Sequence, residues 1–190
     1  MAYVVVDVEA TCWDDLRFPN NEREIIEIGA VQLDDDLVEQ CQFSQTVRPV
    51  RHPELSEFCT QLTGITQTEV DAARSFAEVV ESFVGWAGPG DHWLCSWGIY
   101  DRQQLAWDAE VHGVTLPDWF VSRHVNIRKG FTRWRGIDRC SLADACVMIG
   151  EEFTGTQHRG LHDARNGAVV LAAWQRAHAA LRARAAHSGL

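Results

Sequence analysis

Asp7 and Glu9 stand two residues apart at the end of an apolar run, Tyr3-Val4-Val5-Val6-Asp7-Val8-Glu9. Consecutive valines read as a buried strand, because β-branched side chains fit a pleated surface covered on both faces. Side chains at i and i+2 of a strand share a face, so both carboxylates point the same way. Two acids placed there repel each other and resist desolvation unless something positive joins them. A hard divalent cation does this well, since Mg²⁺ favours oxygen ligands. Alone, an Asp-x-Glu pair is usually a solvated strand end. Its company overturns that reading. Asp101 follows the apolar segment Trp93-Leu94-Cys95-Ser96-Trp97. His158 and Asp163 lie in His158-Arg159-Gly160-Leu161-His162-Asp163-Ala164-Arg165-Asn166, which runs into an Ala/Val/Leu-rich helix.

Four acids from three distant segments suit phosphodiester hydrolysis. That reaction needs an activated water, a stabilised leaving oxygen and neutralised phosphate charge, which two divalent metals about 3.5–4 Å apart supply together. Asp7, Glu9, Asp101 and Asp163 match the number of carboxylates such a pair requires. An imidazole beside them can take the proton of the attacking water. His158 is the candidate; a lone histidine before a helix is more often structural, and its spacing to Asp163 is what raises it.

The elements that must position these residues follow from the pattern. Strands are expected over residues 3–9, 24–33 and 38–47, with the acidic turn Asp34-Asp35-Asp36 making a hairpin of the last two. Residues 53–62 have helical spacing, stopped by Gly64. Ser75 with Glu78 reads as a capping box for a helix over Phe76–Trp86. A fourth strand is expected over 92–97, a helix over 101–112 and a fifth strand over 121–127. Helices near 128–134 and 141–149 follow, with a long last one over about 162–184. Antiparallel strands followed by alternating strands and helices give an α/β fold with a mixed five-stranded sheet flanked by helices.

Composition bounds the rest. The 190 residues suffice for a single domain over 1–190, and a hydrophobic fraction of 46% argues against disorder. No apolar run is long enough to span a bilayer, so no membrane partner is expected. No basic stretch followed by an apolar segment opens the chain, so no signal peptide is expected. Six scattered cysteines without a C-x-x-C pair point to free thiols in a reducing, cytoplasmic setting. The net charge of −10 at first argues against a nucleic-acid partner. The charge is unevenly spread, however. Residues 1–40 hold eleven acids and two arginines, whereas residues 121–140 hold Arg123, Arg128, Lys129, Arg133, Arg135 and Arg139 against Asp138 alone. That basic stretch, interleaved with Phe131 and Trp134, fits a binding strip or a solvated helix face.

Five segments carry a family resemblance: Val6–Trp13, Glu24–Ala30, Leu55–Gln67, Ser96–Asp101 and His158–Asn166. In this order they resemble the DEDDh 3′→5′ exonucleases of the ribonuclease H-like fold. The similarity is greatest to the branch of the enhancer-of-RNA-interference and histone-mRNA exonucleases and their bacterial relatives. The resemblance implies a metal-dependent enzyme with two ions, Mg²⁺ or Mn²⁺, that acts on single-stranded 3′ ends, with RNA favoured over DNA. It implies that Asp7 bridges both metals, that Glu9 and Asp163 complete the tighter site, and that Asp101, rather than Asp108, serves directly or through water. His158 is then the general base. Ala10 and Thr11 would meet the terminal nucleotide, and Leu62 and Ile65 its base. Trp97 and Trp13 are stacking candidates, since base stacking contributes about 1–3 kcal/mol. One departure is His162, where the family usually has an acid before the metal-binding Asp163; it could compete as the base. Two rival readings remain: a silent interaction module with the same fold, and a phosphoesterase acting on very short oligonucleotides.

Overall fold

The structure is a computed structural model that describes residues 2–15 and 17–187, with side chains described up to residue 180. Among these residues five strands form one sheet: β1 (Ala2–Ala10), β2 (Ile25–Leu33), β3 (Glu39–Thr46), β4 (His92–Ser96) and β5 (His124–Asn126). Their spatial order is β3-β2-β1-β4-β5. β2 pairs antiparallel with both β1 and β3, while β4 runs parallel to β1 and β5 parallel to β4. The mixed α/β sheet expected from the pattern is therefore present.

Among the described residues, eight α-helices accompany the sheet: α1 (Glu57–Thr63), α2 (Gln67–Asp71), α3 (Phe76–Ala87), α4 (Tyr100–His112), α5 (Asp118–Ser122), α6 (Ile127–Arg135), α7 (Leu142–Met148) and α8 (Gly160–His187). The period of two sorts β1 between two cores. Val4, Val6 and Val8 pack with Phe76, Phe83, Leu105 and Phe120 beneath α3, α4 and α5. Val5 packs the other way, with Ile127, Phe131, Ala168 and Leu171 beneath α6, α7 and α8. Asp7 and Glu9 share the face of Val5, and so face the side from which α8 approaches.

The expected fifth strand over 121–127 is shortened at both ends. α5 takes residues 121 and 122, Ile127 opens α6, and β5 keeps only three residues. Trp119 and Phe120, just before the expected strand, are both buried in the core and anchor the helical turn that runs on through residue 122. α2 was not anticipated, although Thr66 and Glu69 close a capping box at its start.

A close approach fixes α8 on the sheet. Gly29 of β2 faces Gly160, and a Cβ on Gly29 would lie 1.9 Å from the Gly160 carbonyl carbon. Glu27, two residues back on the same face, accepts from the Gly160 backbone N–H at 2.8 Å and from the Arg159 guanidinium at 3.0 Å. We expect Gly29→Ala to cost more than about 3 kcal/mol, beyond the common range for overpacking, because backbone rather than a side chain must yield. Urea denaturation checks this; a loss below about 1 kcal/mol would contradict the contact.

Candidate active site

β1 ends in a carboxylate pair, and the anchored start of α8 brings Asp163 to it. One carboxylate oxygen from each of Asp7, Glu9 and Asp163 lies within 4.8 Å of the others. Asp101 arrives from the first turn of α4 and is buried. The last β1–β4 pair is Val5 with Cys95. Beyond it, the Val8 N–H donates to Asp101 Oδ1 at 3.2 Å, tying α4 to the strand end. Asp101 is not a member of the close triple but lines the same cleft.

That cleft has a volume of about 480 Å³. Asp7, Glu9, Asp101, Asp163 and His158 all line it, with Trp97, Tyr100 and Arg128 among the remaining walls. His158 is exposed and takes a left-handed backbone conformation at φ 62°. Its N–H donates to Asp163 Oδ2 at 2.7 Å. One carboxylate of the cluster thus also holds the loop that carries the imidazole, against an αL cost of about 1–2 kcal/mol.

The electrostatics are those of acids crowded together in a buried setting. Burial, then the neighbouring Asp101, Glu9, Asp163 and Glu27, hold the Asp7 carboxyl well above the ordinary carboxylate range. Burial and then Asp163, Glu27 and Asp101 push Glu9 up to about 9. Burial raises Asp101 to about 6, opposed first by the Val8 hydrogen bond. Asp163 is raised by burial, opposed first by the His158 N–H. An all-oxygen donor set that resists ionisation until a cation arrives suits a hard divalent metal.

Other residues singled out in the sequence fall in different places. Leu62 is exposed on α1, but Ile65 is fully buried with Cys12, Ile26, Cys59 and Val70. Ile65 therefore has no surface to offer a base and supports the layer beneath. Thr11 is also turned inward: its hydroxyl accepts from Glu24 N–H at 3.0 Å and its own N–H donates to the Glu24 carbonyl at 2.8 Å. The N–H is thereby taken, and the side chain is buried at 2% exposure. Ala10 is buried at the strand end. Trp13 packs with Phe18 and His52, whereas Trp97 lines the cleft. His162 does not line it; its Nδ1 accepts from the Thr156 N–H at 3.0 Å, and its ring occupies the space a Gly155 side chain would need. The ring braces the loop of residues 154–157 and is not among the residues lining the cleft.

Sequence reasoning missed the buried acids that hold the frame. Glu24 accepts three backbone N–H groups, from Val50, Arg51 and His52. Asp108 accepts from Ile25 N–H at 2.6 Å, and Glu27 fixes α8. The signal was available: acids flanking Ile25-Ile26 in an apolar strand must find partners or stay out of the core.

A mixed sheet with a carboxylate cluster at the end of its central strand, served by the first turns of two helices, is an arrangement that can hold the divalent ions used in phosphodiester hydrolysis. Residues 4–171 match the exonuclease family of the RNase T type, and the chain belongs to that family. It is 31% identical over 194 residues to "ERI1 exoribonuclease 2" of Mus musculus, covering 90% of this chain and 28% of that protein. It is 30% identical over 199 residues to "3'-5' exonuclease eri1" of Schizosaccharomyces pombe, covering 86% of this chain and 64% of that one. The chain thus spans less than two thirds of either relative. The crystal structure of the nuclease domain of 3'hExo, a DEDDh family member bound to rAMP, superposes with a TM-score of 0.84 at 29% identity, covering 92% of both chains.

Proposed function

We propose that this chain is a metal-dependent 3′→5′ exonuclease that removes nucleoside 5′-monophosphates from single-stranded RNA. The observation that carries the reading is the convergence of Asp7, Glu9 and Asp163, with Asp101 and His158 in the same cleft. Asp7 would hold two ions, Mg²⁺ or Mn²⁺, with Glu9 and Asp163 completing one site and Asp101 serving the other. Such ions neutralise phosphate charge and acidify water. His158 would accept the proton of the attacking water as its oxygen bonds to phosphorus; the bond to the 3′-oxygen of the preceding nucleotide breaks, and that oxygen leaves as a hydroxyl with a proton from solvent. Leu62 and Trp97 offer surface to the terminal base, and the strand end at Ala10 lies beside it. The RNA preference rests on the name of the Mus musculus relative, an exoribonuclease, and the reducing, cytoplasmic setting on the free cysteines.

The test is hydrolysis of 5′-labelled single-stranded RNA and DNA of one sequence, with Mg²⁺, with Mn²⁺ and with chelator. A metal-dependent ladder shortening one nucleotide at a time from the 3′ end is expected, faster on RNA. No cleavage of either by protein shown to bind metal would favour a silent module.

Metal should also stabilise the fold, increasingly as pH rises. The folded state holds the Glu9 proton up to about 9, while the unfolded chain releases it near 4.3. Between those values the metal-free fold binds more protons than the unfolded chain, so its stability falls as pH rises. Metal replaces the protons and reverses the loss. At a hundred times Kd the gain is about 2.7 kcal/mol, or about 5–10 °C in Tm. Thermal melts with and without Mg²⁺ at pH 6 and pH 8.5 check this; an equal shift at both pH values would contradict it.

A further inference from the structure

The basic strip of residues 121–140 is not used up by the catalytic cleft. Arg128, at the start of α6, lines that cleft. Its neighbour Lys129 lines a different cavity, a groove of about 1070 Å³ between α6 and α8. His124, Lys129, Arg133, Trp134, Trp174 and His178 form its walls, and no acid does, although the chain as a whole carries −10. Lys129 and Arg133 are exposed, and among the described residues neither is in a salt bridge. They lie four apart, so they stack on one helix face about 6 Å from each other. Trp174 lies against Gly130, where a Cβ would come within 2.1 Å of the ring, and its buried indole N–H has no partner among the described residues. The Arg135 guanidinium sits 5.3 Å from the Trp134 ring centroid.

We propose that this groove is a second nucleic-acid site, which holds the single strand upstream of the 3′ end being hydrolysed. It rests on the nuclease reading of the cleft and adds to it where the rest of the substrate runs. Charge complementarity and the continuity of α6 with the cleft favour a nucleic acid as occupant. Half-buried tryptophans beside unpaired cations are how sequence-tolerant single-strand sites are built. The reach is suitable. His124 pairs with Leu94, and Leu94 with Val4, three residues before Asp7. That separates groove and cluster by about 10 Å along the strands and about 10 Å across two strand spacings. The resulting distance of about 14 Å spans about four nucleotides at the stacked rise of about 3.4 Å.

Fluorescence anisotropy of a labelled single-stranded 12-mer, with Ca²⁺ as the only divalent ion and intactness checked on a gel, tests the site. Lys129→Glu combined with Arg133→Glu should raise Kd about tenfold or more and flatten the log Kd–log salt slope by about 1.4, for two single-strand phosphate contacts. Ala179→Glu, on the opposite wall, should weaken binding in the same direction without removing any existing contact. Circular dichroism melts confirm that each variant folds. Unchanged affinity and slope in the folded variants would overturn the groove, as would failure of the wild-type protein to bind the 12-mer. Hydrolysis of the 12-mer by wild type with Mg²⁺ is the separate arm. Binding that depends on Lys129 and Arg133 without any hydrolysis would leave the groove standing and remove the nuclease reading.

Discussion

Asp7→Asn should yield a folded protein that hydrolyses single-stranded RNA more slowly by on the order of 10⁴-fold or beyond, the scale on which loss of one member of a catalytic unit acts. Asp7 is where the cluster's charges meet: after burial, Asp101, Glu9, Asp163 and Glu27 all bear on it. Replacing one oxygen by an amide nitrogen keeps the shape and removes the charge that would hold both ions. The same change should stabilise the metal-free protein. A carboxyl whose pKa is raised by folding lowers stability at every pH above its unfolded value, near 3.9. Asn has no such proton to lose. The variant should therefore melt higher than wild type at pH 8 without metal, with the difference closing as pH falls toward 4. Its Tm should respond weakly to Mg²⁺. Activity assays and melts across pH read both effects. Full turnover in Asp7→Asn would remove the bridging role, and a lower metal-free Tm at pH 8 would show that the acids are not mutually strained.

Much of this site could be read from the chain because its parts are local. The i, i+2 spacing of Asp7 and Glu9 gives a shared face wherever a strand forms, and the capping box of Ser75 and Glu78 marks α3 where the structure has it. Asp101 and Asp163 each occupy the first turn of a helix. What escaped the sequence is long-range. Glu27 contacts Gly160 across 133 positions, and Asp108 contacts Ile25 across 83. No window along the chain links those partners. The inward turn of Thr11 has the same origin, since Glu24 claims both its hydroxyl and its N–H. The resemblance sets Ile65 with Leu62 against the base, yet the left-handed turn at Gly64 between them sends one to the surface and the other to the core. His162 beside Asp163 was ambiguous for a related reason: which way a side chain leaves the first turn of a helix depends on the loop packed against it, here residues 154–157.

That loop makes the choice of substitution at His158 matter. Alanine there would lose the imidazole and also strain a backbone held at φ 62°. Asparagine tolerates the left-handed region far better. His158→Asn should therefore keep the N–H that Asp163 accepts at 2.7 Å, and with it the carboxylate's position. The expected fall in rate is about 10²–10⁴, the usual contribution of a positioned general base. The Mg²⁺-induced rise in Tm should persist, because no metal-holding oxygen has been touched. His162→Asn should lower the rate far less, because that ring braces Thr156 outside the cleft. An unchanged rate in His158→Asn would leave the proton of the attacking water to solvent or to a cluster carboxylate. A loss of the metal-induced Tm shift in the same variant would mean instead that the loop holding Asp163, and not the imidazole, is what His158 supplies.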